Sequence, residues 1–240
     1  MQYNWLSKKE NKNLVMFFAG WSFDGTPFKF LAAEETDVII FYDYGEISSA
    51  PLNELRTEFK KYEKIELIAW SMGVFAAQIL KDSLPQNISK KVAVNGTCLP
   101  VDNAYGIPQR TFELTLKFVE SGLKGKFYKN VFNNDNEFER YTLNPVQRTL
   151  ENRAEELEKL YEYIKTSGSN AEQICGEKFY DFAIVSKFDK IIPPKNQINF
   201  WKETGCDIIE AQTGHFPFYE FDSWNEIINA DKSPKSKETI

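Results

Sequence analysis

The sequence predicts an α/β fold with a mostly parallel, doubly wound sheet. Three observations indicate it: apolar runs alternate with helical patterns, the runs are continuously apolar, and the chain has 240 residues. Continuously apolar strands are typical of a sheet that helices cover on both faces. Alternation of strands with helices favours parallel pairing. We therefore expect one domain over 1–240, since this length suits a single α/β unit.

Six strands are predicted from runs rich in β-branched and aromatic residues. They are Leu14–Ala19, Val38–Tyr42, Ile65–Trp70, Val92–Asn95, Phe182–Ser186 and Ile208–Glu210. Helical periodicity predicts helices near 52–61, 72–83, 194–203 and 222–230. Pro51 and Pro194 stand where a proline in the first turn would begin two of these helices.

The stretch 107–168 has no strand pattern and predicts a helical insertion. Its clearest helix spans 147–165, and the charged segment NNDNEFER at 133–140 is expected to be exposed. One face of that helix carries Leu150, Leu157, Leu160 and Ile164. Such an insertion in an α/β sheet is typical of a lid over the active face. The last residues, 231–240, are expected to form a disordered tail.

Composition excludes several classes of function. A net charge of −6 argues against a duplex nucleic-acid binder, and a single histidine, His215, excludes metal centres with two imidazoles. Three widely spaced cysteines fit neither a zinc knuckle nor a disulfide framework. Neither a membrane span nor a signal peptide is evident. We expect a cytoplasmic monomer without a metal, a cofactor, a nucleic-acid partner or a membrane partner.

A candidate nucleophile lies in the segment AWSMG at 69–73, between a predicted strand and a predicted helix. This is the context of a nucleophile elbow, a sharp turn that lifts a serine hydroxyl above the sheet edge. Gly73 fits the small residue that the turn requires, while Ala69 replaces the usual glycine. The alternative is that Ser71 only caps the helix. The flanking strand and helix favour the nucleophile.

A serine hydroxyl needs a base, and the base needs a carboxylate to orient it. His215 follows the last predicted strand, and Asp189 follows the strand FAIVS within three residues. The order Ser71, Asp189, His215 is that of the α/β-hydrolases. Asp102, seven residues past its strand, remains an alternative acid. Asp43 also ends a strand, but a turn-capping role suits it better.

The tetrahedral intermediate of ester hydrolysis requires two backbone N–H donors. In this fold one belongs to the residue after the nucleophile, here Met72, and the other to a loop after an early strand. That loop opens with Gly20, so the Trp21 N–H is the predicted second donor. The side chains of Trp21 and Phe23 are expected to wall the acyl pocket, although packing in the core is the alternative for Trp21.

The chain resembles the BioG-type pimeloyl-[acyl-carrier-protein] methyl ester esterases from about residue 3 to 228. The resemblance is carried by FFAGWSFDGTPF, VIIFYDY, IELIAWSMGVF, NGTCLPVDNAYGIP and GHFPF, in that order. It implies an enzyme of biotin synthesis that removes the methyl ester from a pimeloyl chain held on acyl carrier protein. By this resemblance Ser71 is the nucleophile, Asp189 the acid, His215 the base and Trp21 an oxyanion donor. The chain departs from the family pattern at Ser22, where glycine is common, and at Gly45, where arginine is frequent.

Acyl carrier proteins are acidic, so a partner surface should be locally basic. Residues 106–130 carry five basic and two acidic side chains. The basic ones, expected to bind the carrier, are Arg110, Lys117, Lys124, Lys126 and Lys129. Phe112 and Phe118 could line a channel for the acyl chain or could pack within the insertion.

Three other functions remain open from the sequence. The same serine, acid and histidine would serve an acyl-carrier or acyl-CoA thioesterase, or a general short-chain carboxylesterase. A non-catalytic binding module would be expected to lack a member of the triad, and none is missing.

Overall fold

The computed structural model describes residues 1–166 and 178–232, and in these ranges seven strands form one sheet. The strands are β1 (Gln2–Ser7), β2 (Asn13–Phe18), β3 (Thr36–Tyr42), β4 (Lys64–Trp70), β5 (Ile88–Val94), β6 (Phe182–Ser186) and β7 (Asp207–Ala211). Their order across the sheet is β1-β3-β2-β4-β5-β6-β7. Strand β1 pairs antiparallel with β3, and each other neighbouring pair is parallel. The predicted fold class is therefore confirmed.

The six predicted strands are all present, but β1 is an addition. Its sequence QYNWLS alternates exposed and half-buried positions over its first residues. An edge strand has one sheet face near solvent and one unpaired side, so it does not need a continuously apolar sequence. A search for buried strands could not detect it.

The described helices are mostly short. They are α1 (Ala50–Glu54), α2 (Arg56–Phe59), α3 (Met72–Ile79), α4 (Gln109–Lys117), α5 (Val119–Leu123), α6 (Lys126–Val131), α7 (Asp135–Leu143), α8 (Leu150–Thr166), α9 (Pro194–Glu203) and α10 (Trp224–Ile228). The helix predicted at 52–61 is divided at Leu55 into α1 and α2. Within the described ranges, none of the helices combines the length and the hydrophobicity that a bilayer span requires.

The core is the central part of the sheet and the helix faces against it. Every residue of β3 is buried, as is every residue of β2 after Asn13 and of β4 after Lys64. Helix α3 packs against β2 and β4, which places its first turn at the carboxyl ends of these strands. This edge of the sheet is where ligands bind in doubly wound folds.

Helices α4 to α8 occupy the predicted insertion between β5 and β6. Leu157 and Leu160 of α8 are fully buried, Ile164 is nearly so and Leu150 is half-buried. Most of segment 133–140 is exposed, as predicted. The segment also contains the start of α7, where the Asn134 side chain caps the helix by accepting from the Glu137 N–H. Residues 167–168 of the predicted insertion lie outside the described residues. The prediction of a disordered tail over 231–240 is wrong at its first two residues, which end a short 3₁₀ helix (Ala230–Lys232), with Asp231 paired to Lys90 at 2.6 Å. The rest of the predicted tail, from residue 233 onward, lies outside the described residues.

Candidate active site

The turn between β4 and α3 is a strained elbow with Ser71 at its apex. Ser71 has φ +56° and ψ −122°, a conformation that costs a non-glycine residue about 1–3 kcal/mol. Ser71 stands at the N-cap position of α3, but its side chain makes no capping hydrogen bond to that helix, which argues against capping as its role. Gly73 lies against the end of β2, where a Cβ atom would stand 2.2 Å from the Phe18 carbonyl oxygen.

Ser71, His215 and Asp189 are joined by hydrogen bonds although they are far apart in the chain. The Nε2 atom of His215 lies 2.9 Å from the Ser71 Oγ, and its Nδ1 lies 2.8 Å from the Asp189 Oδ2. A carboxylate at Nδ1 favours the tautomer with hydrogen on Nδ1, which leaves Nε2 free to accept the serine proton. The arrangement can therefore activate the hydroxyl of Ser71.

The Asp189 carboxylate is surrounded by donors. Its Oδ1 accepts from the backbone N–H groups of Ile191 and Ile192, at 2.8 and 2.9 Å. Its Oδ2 also accepts from the Gln197 side chain of α9, at 2.9 Å. The Asp189 side chain is fully buried, so these bonds keep it in one orientation toward His215. Sequence reasoning did not identify Gln197, because its type and spacing carry no motif.

The two alternative carboxylates have other partners. Asp102 accepts from the N–H groups of Ala104 and Tyr105, at 2.7 and 2.9 Å, and so closes its own turn. Asp43 accepts weakly from the Gly45 N–H and pairs with Arg148 of the insertion, with 3.2 Å between Oδ1 and Nη2. Neither carboxylate is bonded to His215.

The loop that carries His215 is fixed through its backbone by residues that sequence reasoning missed. The carbonyl oxygen of His215 accepts from the Trp70 indole at 2.8 Å and from the Asn95 side chain at 3.0 Å. Asn95 directly follows β5, and its Oδ1 accepts from the Ser186 N–H at 2.7 Å. This asparagine thus ties β5 and β6 to the histidine loop. An asparagine ending a buried strand, in VAVN, was the available signal.

The predicted oxyanion donors border Ser71 from two sides. Met72 is the first residue of α3, so its N–H has no acceptor inside the helix. Gly20 contacts the elbow so closely that a Cβ atom there would lie 3.0 Å from the Ser71 Cβ. Trp21 follows it, and in the described part of the chain no acceptor is bonded to its backbone N–H. The indole of Trp21 instead donates to the Arg153 carbonyl of α8 at 2.8 Å.

A cavity of about 310 Å³ opens beside Ser71 and His215. Trp21, Phe23 and Phe112 line it and are buried, and Phe118 lines it while 55% exposed. Aliphatic side chains of the insertion, such as Leu123 and Leu157, complete the walls. A mostly apolar cavity with a few polar groups at one end is typical of a small-molecule site.

The basic residues predicted to bind a carrier are all exposed on the insertion: Arg110, Lys117, Lys124, Lys126 and Lys129. Lys126 also lines the cavity, as does Lys190, which the prediction did not include. Lys117 lies 5.5 Å from the centre of the exposed Phe118 ring. The mouth of the cavity therefore combines positive charge with an exposed aromatic side chain.

Glu156 of α8 is a buried carboxylate that sequence reasoning missed. Its Oε2 accepts from Arg148 at 2.8 Å, and its Oε1 accepts from the Tyr44 N–H at 2.8 Å. Burial raises the pKa of Glu156, against the opposing effect of Arg148. The available signal was its spacing, since position 156 lies on the same helical face as Leu160 and Ile164.

Gly45, which stands where the resembled family frequently has arginine, faces the insertion. A Cβ atom there would lie 3.6 Å from the Lys159 side chain and 3.9 Å from the Glu156 backbone. Gly45 is not among the residues that line the cavity at Ser71.

Comparison with known proteins agrees with this architecture. Residues 1–227 match the family model of BioG, the pimeloyl-ACP methyl esterase. The chain is 35% identical over 206 residues to malonyl-[acyl-carrier protein] O-methyltransferase of Bacteroides fragilis, covering 85% of this chain and 39% of that protein. The chain thus spans less than half of that relative's length.

Solved structures give the same assignment. BioG from Haemophilus influenzae is 30% identical to this chain and superposes with a TM-score of 0.81. The superposition covers 95% of this chain and 100% of that one. An enol-lactonase from Burkholderia xenovorans, 14% identical with a TM-score of 0.66 over 91% of this chain and 90% of its own, shares the fold. The chain therefore belongs to the BioG family and has the α/β-hydrolase fold.

Proposed function

We propose that this protein hydrolyses the methyl ester of pimeloyl-[acyl-carrier-protein] methyl ester and releases pimeloyl-[acyl-carrier-protein] for biotin synthesis. Ser71 is the nucleophile, His215 the general base and acid, and Asp189 the carboxylate that orients the imidazole. The observation that carries the proposal is the hydrogen-bonded chain of these side chains at the end of an apolar cavity. Membership of the BioG family supports the choice of ester.

The reaction proceeds through an acyl-enzyme. His215 Nε2 takes the proton of Ser71 as Oγ attacks the ester carbonyl, and the oxyanion accepts from the N–H groups of Trp21 and Met72. The bond to the methoxy group then breaks, and methanol leaves with the proton from His215. Water next attacks the acyl-enzyme with His215 again as base, and the free carboxylate is released while Ser71 regains its proton.

The cavity suits the middle of the substrate. Between its two carbonyl carbons a pimeloyl chain consists of methylene groups. Burial of these groups against Trp21, Phe112 and Leu157 stabilises the bound state. The carrier end of the chain would leave past Lys126 and Phe118. The exposed basic residues of the insertion would there meet an acidic carrier, with electrostatic attraction that accelerates encounter. The Bacteroides relative, named for methylating a carrier-bound malonyl group, supports a carrier-bound ester as substrate.

The decisive experiment is the reaction of pimeloyl-carrier methyl ester with wild-type protein and S71A, analysed by mass spectrometry of the intact carrier. We expect the wild type to remove the methyl group and leave the acyl chain on the carrier. The kcat of S71A should be lower by a factor of at least about 10³, because the nucleophile is gone. S83A is the matched control, since Ser83 follows α3 and does not line the cavity.

The same measurement separates the alternative functions. Empty carrier as product would identify a thioesterase. Turnover of free short-chain esters with no reaction on the carrier substrate would identify a general carboxylesterase. Full activity in S71A, with the melting temperature unchanged, would contradict the proposed mechanism for all three substrates.

A further inference from the structure

Glu156 is a buried ionisable group that the proposed chemistry does not use. Its side chain, on the inner face of α8, is fully buried, and burial of a charged carboxylate is unfavourable unless several donors contact it. The neighbouring Glu155 and Glu158 on the same helix are exposed. A buried glutamate among exposed ones indicates a specific role for its partners.

Those partners belong to the segments around the elbow. Glu156 Oε2 accepts from the Ser22 N–H at 3.2 Å as well as from Arg148, and Oε1 accepts from the Tyr44 N–H. Ser22 lies in the loop after β2, and Tyr44 lies in the turn after β3. One carboxylate of the insertion therefore fixes the backbone of two loops at the carboxyl edge of the sheet.

Ser22 needs this support because its backbone is strained. Its φ is +72°, in the left-handed region that costs a non-glycine residue about 1–3 kcal/mol and persists only when surroundings enforce it. The Ser22 Oγ is also hydrogen-bonded to the Tyr128 hydroxyl, at 2.7 Å. Both bonds hold Ser22 against relaxing to the ordinary conformation.

Holding Ser22 also fixes the residue before it. The Ser22 N–H belongs to the peptide unit that follows Trp21, so anchoring this unit restrains the Cα atom of Trp21, to which the Trp21 nitrogen is bonded. The Trp21 indole is held by the Arg153 carbonyl of the same helix. An oxyanion donor works only when its N–H points within a few tenths of an ångström of the required place.

We propose that Glu156 is a positioning residue that keeps the Trp21 N–H directed into the oxyanion hole by anchoring Ser22 from the insertion. This rests on the proposed function only in the role given to Trp21. The carboxylate itself touches neither the substrate nor the reacting atoms.

The test compares E156M and the double variant R148M/E156M with wild type, on p-nitrophenyl butyrate and per active site titrated with a fluorophosphonate. Methionine removes the acceptor at similar volume, and removing both charged partners avoids leaving Arg148 without this carboxylate. We expect kcat to fall about 10–100-fold with KM changed less than about 3-fold, since misaligning one donor costs part of the 10²–10³ that it contributes. E155M, an exposed change on the same helix, should leave both constants unaltered.

A boronic acid inhibitor supplies a readout that loss of stability alone would not change. Its tetrahedral adduct on Ser71 places an oxygen in the oxyanion hole, so its inhibition constant should rise by the same factor as kcat falls. If the double variant keeps kcat and the inhibition constant within about 3-fold of wild type, Glu156 has only a structural role and the inference is wrong; that threshold lies well under the effect of one lost donor.

Where E156M fails to fold, R148M/E156M decides. The small ester keeps this result separate from the proposed substrate. Wild type that cleaves p-nitrophenyl butyrate but not the carrier ester would overturn the proposed function and leave the role of Glu156 testable. Activity of S71A on the small ester would instead overturn the triad.

Discussion

At the scale of single residues, strained backbone occurs at the edge of the sheet where Ser71 lies. Ser22, Asp43, Ser71 and Asn95 all have positive φ, and they follow β2, β3, β4 and β5 respectively. Each is held by hydrogen bonds from a different element, such as Glu156 for Ser22 and the β6 backbone for Asn95. Backbone strain concentrated at one edge is typical of a preorganised site.

The glycine two residues after the nucleophile should be intolerant of any side chain. In G73A the added Cβ would stand 2.2 Å from one carbonyl oxygen of the β2 end and 2.6 Å from the next. We expect G73A to lower the free energy of unfolding by at least about 2 kcal/mol and to displace Ser71, because backbone must move. Urea denaturation and esterase assays measure the two effects.

The reverse exchange on the same helix is the control. A77G removes a methyl group from a buried position of α3 without creating a clash. It combines a helix penalty of roughly 0.5–1 kcal/mol with the loss of one buried methyl. It should leave kcat near that of wild type; equal losses of activity in G73A and A77G would contradict the argument from close approach.

Sequence motifs located the residues whose chemistry is distinctive, and not the residues that hold them. Ser71 and His215 could be predicted because a strand, a turn and a residue type coincide at each. Asn95 and Gln197 have no such signature, since an amide can be placed by any element that passes nearby. The role of Asn95 depends on a contact with Ser186, which lies 91 residues later in the chain.

At the scale of elements, α8 makes two kinds of contact, apolar and polar. The sequence pattern predicts only the apolar one. Its buried side chains attach the insertion to the body, while its Glu156 and the Arg153 carbonyl hold the loop after β2. Periodicity predicted the helix and its buried leucines correctly. It could not predict polar contacts, because these depend on which loop lies opposite.

Two leucines of α8 separate packing from substrate contact. Leu157 and Leu160 are both fully buried, but only Leu157 lines the cavity. We expect L157A and L160A each to lower the free energy of unfolding by about 2–5 kcal/mol, the usual cost of such a truncation. Only L157A should also raise KM for the pimeloyl methyl ester, since it alone removes an apolar wall.

Steady-state kinetics at a temperature where both variants remain folded checks this difference. Equal KM values in L157A and L160A would show that the cavity at Leu157 does not receive the acyl chain. Both variants are compared with wild type at equal concentrations of titrated active sites.

At the scale of the whole molecule, charge is distributed unevenly over a chain of net charge −6. The insertion presents exposed lysines near the cavity mouth, whereas Lys9 and Lys60 are exposed near the amino ends of the central strands. An acidic carrier would be attracted to the first surface and not to the second. The charge pattern could be predicted from the sequence, and the position of the cavity mouth beside it could not.

Charge reversal tests whether this surface receives the carrier. K117E/K124E should raise KM for the carrier ester about 10-fold at low salt, because long-range attraction is lost, and the effect should shrink as ionic strength increases. K9E/K60E makes the same change of charge at the other edge and should leave KM unchanged. A free dimethyl ester, which carries no acidic protein, should be hydrolysed equally by all variants.

The side-chain amide of Asn95 has a consequence for how this protein loses its proposed activity. It links β5 and β6 to the loop that carries His215, and the Trp70 indole donates to the same carbonyl oxygen. The side chains of the proposed triad are thus tied to the central sheet, and buried core strands are expected to open only on global unfolding. Heat inactivation should coincide with melting of the sheet, so that a population of molecules contains fully competent and fully unfolded forms but few impaired intermediates.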